Sequence, residues 1–254
     1  MSNSIKLTII GGVNKDGTKE LVERVELNPG DILGIVGPTG SGKSTLIDDI
    51  EQLAQGDTPT RRRILINDEE PDTKMRVDPR LKLIAQLSQN MHFLADMSVS
   101  EFLQMHARSR GKDPELMHKV IELANILTGE PIHEEDQLTV LSGGQSRSLM
   151  TADIAVISDS PIVLIDEIEN AGIKKQEALD LLAGEGKIVV VVTHDPVLAL
   201  MASRRIVIKN GGMTDIITTS AEEKNVGDRV SEVDNWLMDL REIIRRGEIV
   251  EGVV

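Results

Sequence analysis

Apolar positions recur with two different periods along this chain of 254 residues, and the changes of period divide it into elements. Ile5 to Ile10 and Val22 to Leu27 read as antiparallel strands joined by a turn around Asn14 to Gly17. Pro29-Gly30 makes a second turn into Asp31 to Val36, a short apolar run with the character of a buried strand, and Ser44 to Ile50 opens a helix. Ile64 to Asn67 and Leu81 to Leu87 are further strands. From Ser98 to Thr128 the period becomes helical through Phe102, Met105, Leu116, Val120, Leu123, Ala124 and Leu127. Ser98 with Glu101 has capping-box spacing, and Pro114 starts a second helix there. A polar loop, Glu130 to Thr139, precedes a helix from Gly143 to Ser158. Then strands at Ile162 to Ile165, Lys187 to Thr193 and Arg205 to Lys209 alternate with helices at Lys174 to Ala183 and up to Ala202. Such alternation predicts a mostly parallel sheet covered on both faces. The tail, Asp228 to Arg246, is an amphipathic helix with Val230, Val233, Leu237, Leu240 and Ile244 on one stripe.

Between the third strand and its helix lies Gly37-Pro38-Thr39-Gly40-Ser41-Gly42-Lys43-Ser44-Thr45, a complete phosphate-binding loop. The glycines let consecutive backbone N–H groups turn inward as an anion nest. Lys43 can reach β- and γ-phosphates as a point charge, and the Ser44 hydroxyl can ligate Mg²⁺. The helix that follows aims its N-terminus at the phosphates. A flexible glycine-rich linker would not carry a strand before it and a helix after it. Ile162-Val163-Leu164-Ile165 ends in two carboxylates, at the sheet edge where ligands bind in parallel α/β folds. Asp166 is suited to hold Mg²⁺, and Glu167 to polarise an attacking water as general base. An acidic pair after a strand is usually a solvated turn; paired with the phosphate loop it becomes a site.

The most discriminating segment is Leu141-Ser142-Gly143-Gly144-Gln145, which places a hydroxyl and glycine N–H groups at the start of a helix as a second anion surface. With these residues between the phosphate loop and the acidic strand, the chain resembles the ATP-binding-cassette (ABC) ATPases over nearly its whole length to about Thr219. The resemblance implies an α/β fold with a P-loop NTPase (RecA-like) core, an antiparallel β edge subdomain and an inserted α-helical subdomain. It divides the chain into a nucleotide-binding core at 1–89 and 161–227, a helical part at 90–160 and a C-terminal helix at 228–254. It also implies ATP and Mg²⁺ as ligands and a head-to-tail dimer, in which the Leu141–Gln145 signature of one chain covers the γ-phosphate held by the other. Gln89 resembles the glutamine that touches Mg²⁺ and the attacking water, with Gln86 as its rival. His194, in Thr193-His194-Asp195, resembles the switch histidine that hydrogen-bonds the γ-phosphate. The family's partners are a second nucleotide-binding domain and a transmembrane subunit; a soluble member would act on a cytosolic client instead.

Composition narrows these readings. A net charge of −14 speaks against a nucleic-acid partner, and Arg61-Arg62-Arg63 and Arg245-Arg246 are too short for a basic surface, so they are expected on the solvated exterior. There is no Cys and hence no disulfide or thiolate metal site. No apolar run is long enough to span a bilayer, and the N-terminus has no signal-peptide pattern; a cytoplasmic protein is expected, peripheral on the membrane's inner face through a partner. Two features depart from the family. Its members usually stack adenine on an aromatic residue near the first strand, but the aromatics here are Phe93, Phe102 and Trp236, which leaves Val13 or Lys15 to meet the base. Lys174 stands where relatives carry an Asp after the acidic pair.

Overall fold

The computed structural model describes residues 5–88, 91–166 and 173–250. It contains two sheets. Strands β1 (Leu7–Ile10), β2 (Arg24–Leu27) and β4 (Arg63–Ile66) form an antiparallel layer in the order β2-β1-β4. The larger sheet has β3 (Ile32–Val36), β5 (Ile84–Ser88), β6 (Ile162–Asp166), β7 (Ile188–Val192), β8 (Arg204–Lys209) and β9 (Gly212–Thr218), in the order β5-β6-β7-β3-β8-β9. All its pairings are parallel except β8 with β9. The fold is therefore the α/β class with an added antiparallel layer.

Alternation within the strands explains the layering. Ile162 and Leu164 of β6, with Ile188, Val190 and Val192 of β7, share a core with the antiparallel layer and with Leu46, Ile47 and Ile50 of helix α1 (Lys43–Glu51). Val163, Ile165, Val189 and Val191 point the other way, into a core with α6 (Lys175–Gly184), α7 (Pro196–Met201) and the end of α5 (Gly143–Val156). Strands buried on both faces read as unbroken apolar runs, as these do. A third core joins α3 (Val99–Ser109), α4 (Leu116–Leu127) and α5 through Leu103, Val120, Ala124 and Leu149. The Ser98–Glu101 capping box forms with both hydrogen bonds in place. Pro114 stands two residues before α4 rather than opening it, because Asp113 and Glu115 first complete a turn.

Three features differ from the sequence reading. A short helix α2 (Thr73–Val77), capped by Asp72, precedes β5. β9 pairs with β8 through a tight turn at Asn210 and Gly211, both with positive φ. The C-terminal helix α8 spans Ala221–Arg245 and so starts seven residues earlier than Asp228; Ser220 and Glu223 exchange side-chain and backbone hydrogen bonds at its start. Its apolar stripe is half-covered: α8 packs on α7, Val230, Leu237 and Leu240 are half-buried, and Val233 and Ile244 are exposed.

The largest correction concerns Arg62. Arg61 and Arg63 are exposed as expected, but Arg62 is fully buried. It shares the inward face of Ile64 and Ile66, one strand period away. Burying a guanidinium is costly unless it is paired. Here its Nη2 donates to Glu20 at 2.6 Å and its Nη1 to Asp49 at 2.9 Å.

Candidate functional site

The sheet register gathers the site. Ser88 of β5 lies opposite Asp166 of β6, Asp166 opposite Val192 of β7, and Val192 opposite Ile35 of β3. These four positions form one row at the C-terminal edge of the parallel strands. The loop from Gly37 leaves one residue beyond that row, and Thr193-His194 follow it directly on β7. Gln89 and Glu167 are the next chain positions after Ser88 and Asp166; both lie outside the described residues.

The phosphate loop is shaped by close backbone approach. Gly42, at the N-cap of α1, has φ 103°, and a Cβ there would sit 2.9 Å from Gly211 Cα. A Cβ on Gly37 would sit 2.4 Å from the Ile208 carbonyl oxygen. Thus β8 and its turn to β9 support the loop from below. Gly211 N–H also donates to Ser41 O at 2.7 Å. Lys43 is buried, and its Nζ donates to Gly37 O at 2.9 Å and Pro38 O at 3.2 Å, which curls the ammonium into its own loop. Ser41 Oγ is buried without a hydrogen-bond partner among the described residues. An orphaned hydroxyl beside a cation, over a helix N-terminus, is the donor set a phosphate chain completes. Thr39 and Gly40 are exposed at the loop's tip, and Ser44 and Thr45 are exposed in the first turn of α1, where a metal on the phosphates would be reached.

A magnesium ion fits this edge without a dedicated cage. Among the described residues no cluster of three His, Cys, Asp or Glu could hold a metal. Magnesium on a nucleotide needs only one or two carboxylates, a hydroxyl and phosphate oxygens. Ser44 and Asp166 would offer the hydroxyl and the carboxylate, and Gln89 is the further candidate from the sequence.

The signature segment is built separately, at the start of α5. Ser142 is the N-cap: its Oγ accepts from Gln145 N at 3.2 Å, and Gln145 Oε1 accepts from Ser142 N at 2.9 Å. Gln145 Nε2 then donates to Pro131 O at 2.8 Å, tying the cap to the preceding polar loop. Ser142 remains exposed, with Leu141, Gly143 and Gly144 partly so. Its hydroxyl accepts within the box and keeps its own hydrogen for an outside acceptor. One turn on, Arg147 donates to Gly143 O at 3.3 Å, and burial holds its guanidinium below the usual arginine range.

Three supporting features were not read from the sequence. Lys15 crosses the β8–β9 turn and its Nζ donates to Gly40 O at 2.9 Å, so the residue put forward for the base also touches the phosphate loop. Arg62 Nη2 donates to Gly211 O at 2.8 Å, beneath the same turn. Lys175, the first residue of α6, binds Asp195 beside His194. Spacing alone signals none of the three, because each partner comes from a distant segment.

A family model for the ABC transporter matches residues 23–170, more than half of the chain. The chain is 67% identical to an uncharacterized ABC transporter ATP-binding protein of Methanocaldococcus jannaschii, over 96% of this chain and 94% of that one. It is also 30% identical to an sn-glycerol-3-phosphate import ATP-binding protein of Jannaschia, over 86% of this chain and 62% of that one. A macrolide export ATP-binding/permease protein of Campylobacter jejuni matches at 30% over 82% of the chain, which spans a third (33%) of that protein's length. In structure the chain is similar to cbiO1 of Clostridium perfringens, part of an ABC transporter complex, with a TM-score of 0.63 and 21% identity over 96% of this chain and 98% of that one. These matches, together with the phosphate loop and the signature, establish that the chain belongs to the ABC transporter family, as an ATP-binding protein.

Proposed function

We propose that this chain binds ATP with Mg²⁺, hydrolyses it to ADP and phosphate, and works as a head-to-tail dimer that powers a separate membrane transporter. The observation that carries the reaction is the single row of Ser88, Asp166, Val192 and Ile35, beyond which the phosphate loop, Gln89, Glu167 and His194 follow in the chain.

The roles follow from charge. Backbone N–H groups from Gly37 to Thr45 and the Lys43 ammonium hold the β- and γ-phosphates. Ser44, Asp166 and Gln89 would hold Mg²⁺, which supplies charge neutralisation for the transferring phosphoryl group. Glu167 polarises the attacking water, Gln89 orients it, and His194 donates to the γ-phosphate. Leu141 to Gln145 of the opposite chain closes over that phosphate through the free hydrogen of Ser142 and the first N–H groups of α5. Each half-site lacks the other chain's donors, so hydrolysis is tied to closure of two copies.

The transport reading is supported by the relatives' names, one an importer and one an exporter, and leaves the direction and the cargo to the membrane subunit. Among the described residues no helix is long and apolar enough to cross a membrane, in keeping with a cytoplasmic protein held at the membrane's inner face by its partner. The core at 1–89 and 161–227 would bear the nucleotide, and 90–160 would face the partner; Leu94, 94% exposed, opens that part. A cytosolic client is the second reading, favoured by the exposed apolar positions Val233 and Ile244 on α8. Purification of the tagged chain from its own cells tests the two: a multi-span membrane protein recovered in stoichiometric amount supports transport, and a soluble protein alone supports the second.

Nucleotide choice should be lax. With the Lys15 stem rather than an aromatic ring near the β1–β2 turn, most binding energy rests on the triphosphate. GTP is expected to bind Glu167→Gln protein within about tenfold of ATP, a difference of about 1.4 kcal/mol. Titration calorimetry with both nucleotides checks this, and a preference of several hundredfold for ATP would refute it.

A further inference from the structure

Lys175 is an unusual residue to begin a helix. A cation at a helix N-terminus opposes the macrodipole, and this one has only 9% of its side chain exposed. Two carboxylates from different elements hold it there. Its Nζ donates to Asp195 Oδ2 at 2.6 Å and to Asp234 Oδ2 at 3.1 Å. Burial disfavours the ammonium, but the hydrogen bonds to Asp195 and Asp234 outweigh it and raise its pKa above the ordinary lysine value.

The three residues connect three places. Lys175 stands three residues past the end of the segment 167–172, which follows the acidic strand. Asp195 directly follows His194, and its other oxygen, Oδ1, caps α7 by accepting from Val197 N at 2.8 Å and Leu198 N at 3.3 Å. Asp234 lies in the middle of α8, which packs on α7. Asp195 thus has one oxygen fixing the helix after His194 and the other fixed by a cation that α8 helps to hold. If α8 shifts, Lys175 loses the Asp234 carboxylate and the cation on Asp195 Oδ2 is held less firmly.

We propose that α8 is a positioning element for the hydrolytic site, acting through Asp234, Lys175 and Asp195 to set where His194 stands. The proposal rests on the reading of His194 as a γ-phosphate ligand. Asp234 is a positioning residue: it acts through Lys175, which acts through Asp195. The C-terminal helix then has a route by which a change in its own seating alters turnover without touching nucleotide.

The test uses the full chain and the variants Asp234→Asn, Asp234→Glu, Lys175→Met and His194→Ala. Hydrogen exchange followed by mass spectrometry reads the amides of 197–201, with α1 as internal reference. Loss of the tether should speed exchange of the Val197 and Leu198 amides about fivefold or more in Asp234→Asn and Lys175→Met, with α1 unchanged. Steady-state hydrolysis should show kcat down about threefold or more with KM for MgATP within about twofold, and Asp234→Glu should restore both readings. Unchanged exchange in both variants overturns the proposal. So does faster exchange with unchanged kcat in a parent that hydrolyses ATP, since the contact would then be merely structural. The His194→Ala control separates the two ideas: if it hydrolyses ATP at the parent rate, the assigned role of His194 fails. The exchange arm needs no hydrolysis, so with an inactive parent the proposed reaction falls and the tether is judged on exchange alone.

Discussion

Glu167→Gln protein is expected to bind ATP, leave it uncleaved and run as a dimer in ATP and Mg²⁺, but as a monomer without nucleotide. The substitution keeps a hydrogen-bonding side chain of the same shape and removes the base, so hydrolysis should fall by about a hundredfold or more. Lys43→Ala should fail at an earlier step. Its ammonium is curled onto Gly37 O and Pro38 O within the loop; without it the phosphates bind weakly and no dimer forms. Ser142→Arg separates binding from closure. Ser142 is exposed at the N-cap of α5, away from its own chain's phosphate loop in sequence and in core. A bulky cation there also removes the Gln145 cap, yet leaves Gly37 to Thr45 untouched, so ATP should still bind while the dimer does not form. Light scattering and phosphate release on the three variants make the measurement. Parent-rate hydrolysis by Glu167→Gln would remove Glu167 from its role. Glu167→Gln protein that binds ATP yet stays monomeric would argue against a site shared by two chains.

How far the sequence carried depended on where each signal was kept. The parallel strands were legible because unbroken apolar runs such as Ile188 to Val192 admit few other readings. The Ser98–Glu101 and Ser142–Gln145 caps were legible because both halves lie within three residues. Two misses were of the same local kind and were available: Asn210-Gly211 is a strong hairpin signal that announces β9, and Ser220 with Glu223 announces the true start of α8. Other misses were not available. Asp49 and Glu20 lie 13 and 42 residues from Arg62, and Asp234 lies 59 from Lys175. A charged residue in a run of charges looks solvated until its distant partners are known. The alternation Arg62, Ile64, Ile66 does hold the inward direction of Arg62, masked by the two exposed arginines beside it.

Arg62→Ala should be among the most destabilising single changes in the chain. Arg62 is the one cation, among the described residues, paired with both Glu20, whose side chain is fully buried, and Asp49, whose side chain is 3% exposed. Removing it leaves two carboxylates in a dry interior, a loss of about 3–5 kcal/mol. The carboxylates cannot easily turn away. Glu20 also accepts from Gly12 N at 2.7 Å and Met213 N at 2.6 Å, and Asp49 accepts from Thr60 Oγ1 at 2.8 Å. Arg62→Met with Asp49→Asn should recover part of the loss, because it restores volume and deletes one charge. The function should suffer as well. Arg62 holds Gly211 O, and Gly211 holds Ser41 O and packs under Gly42, so the guanidinium fixes the floor of the phosphate loop. Nucleotide affinity should therefore drop in the double variant even where stability returns. Urea unfolding at pH 7, with nucleotide titration on the double variant, checks both parts. A loss under 1 kcal/mol at pH 7 would mean that the antiparallel layer, α1 and the β8–β9 turn hold together without the ion network.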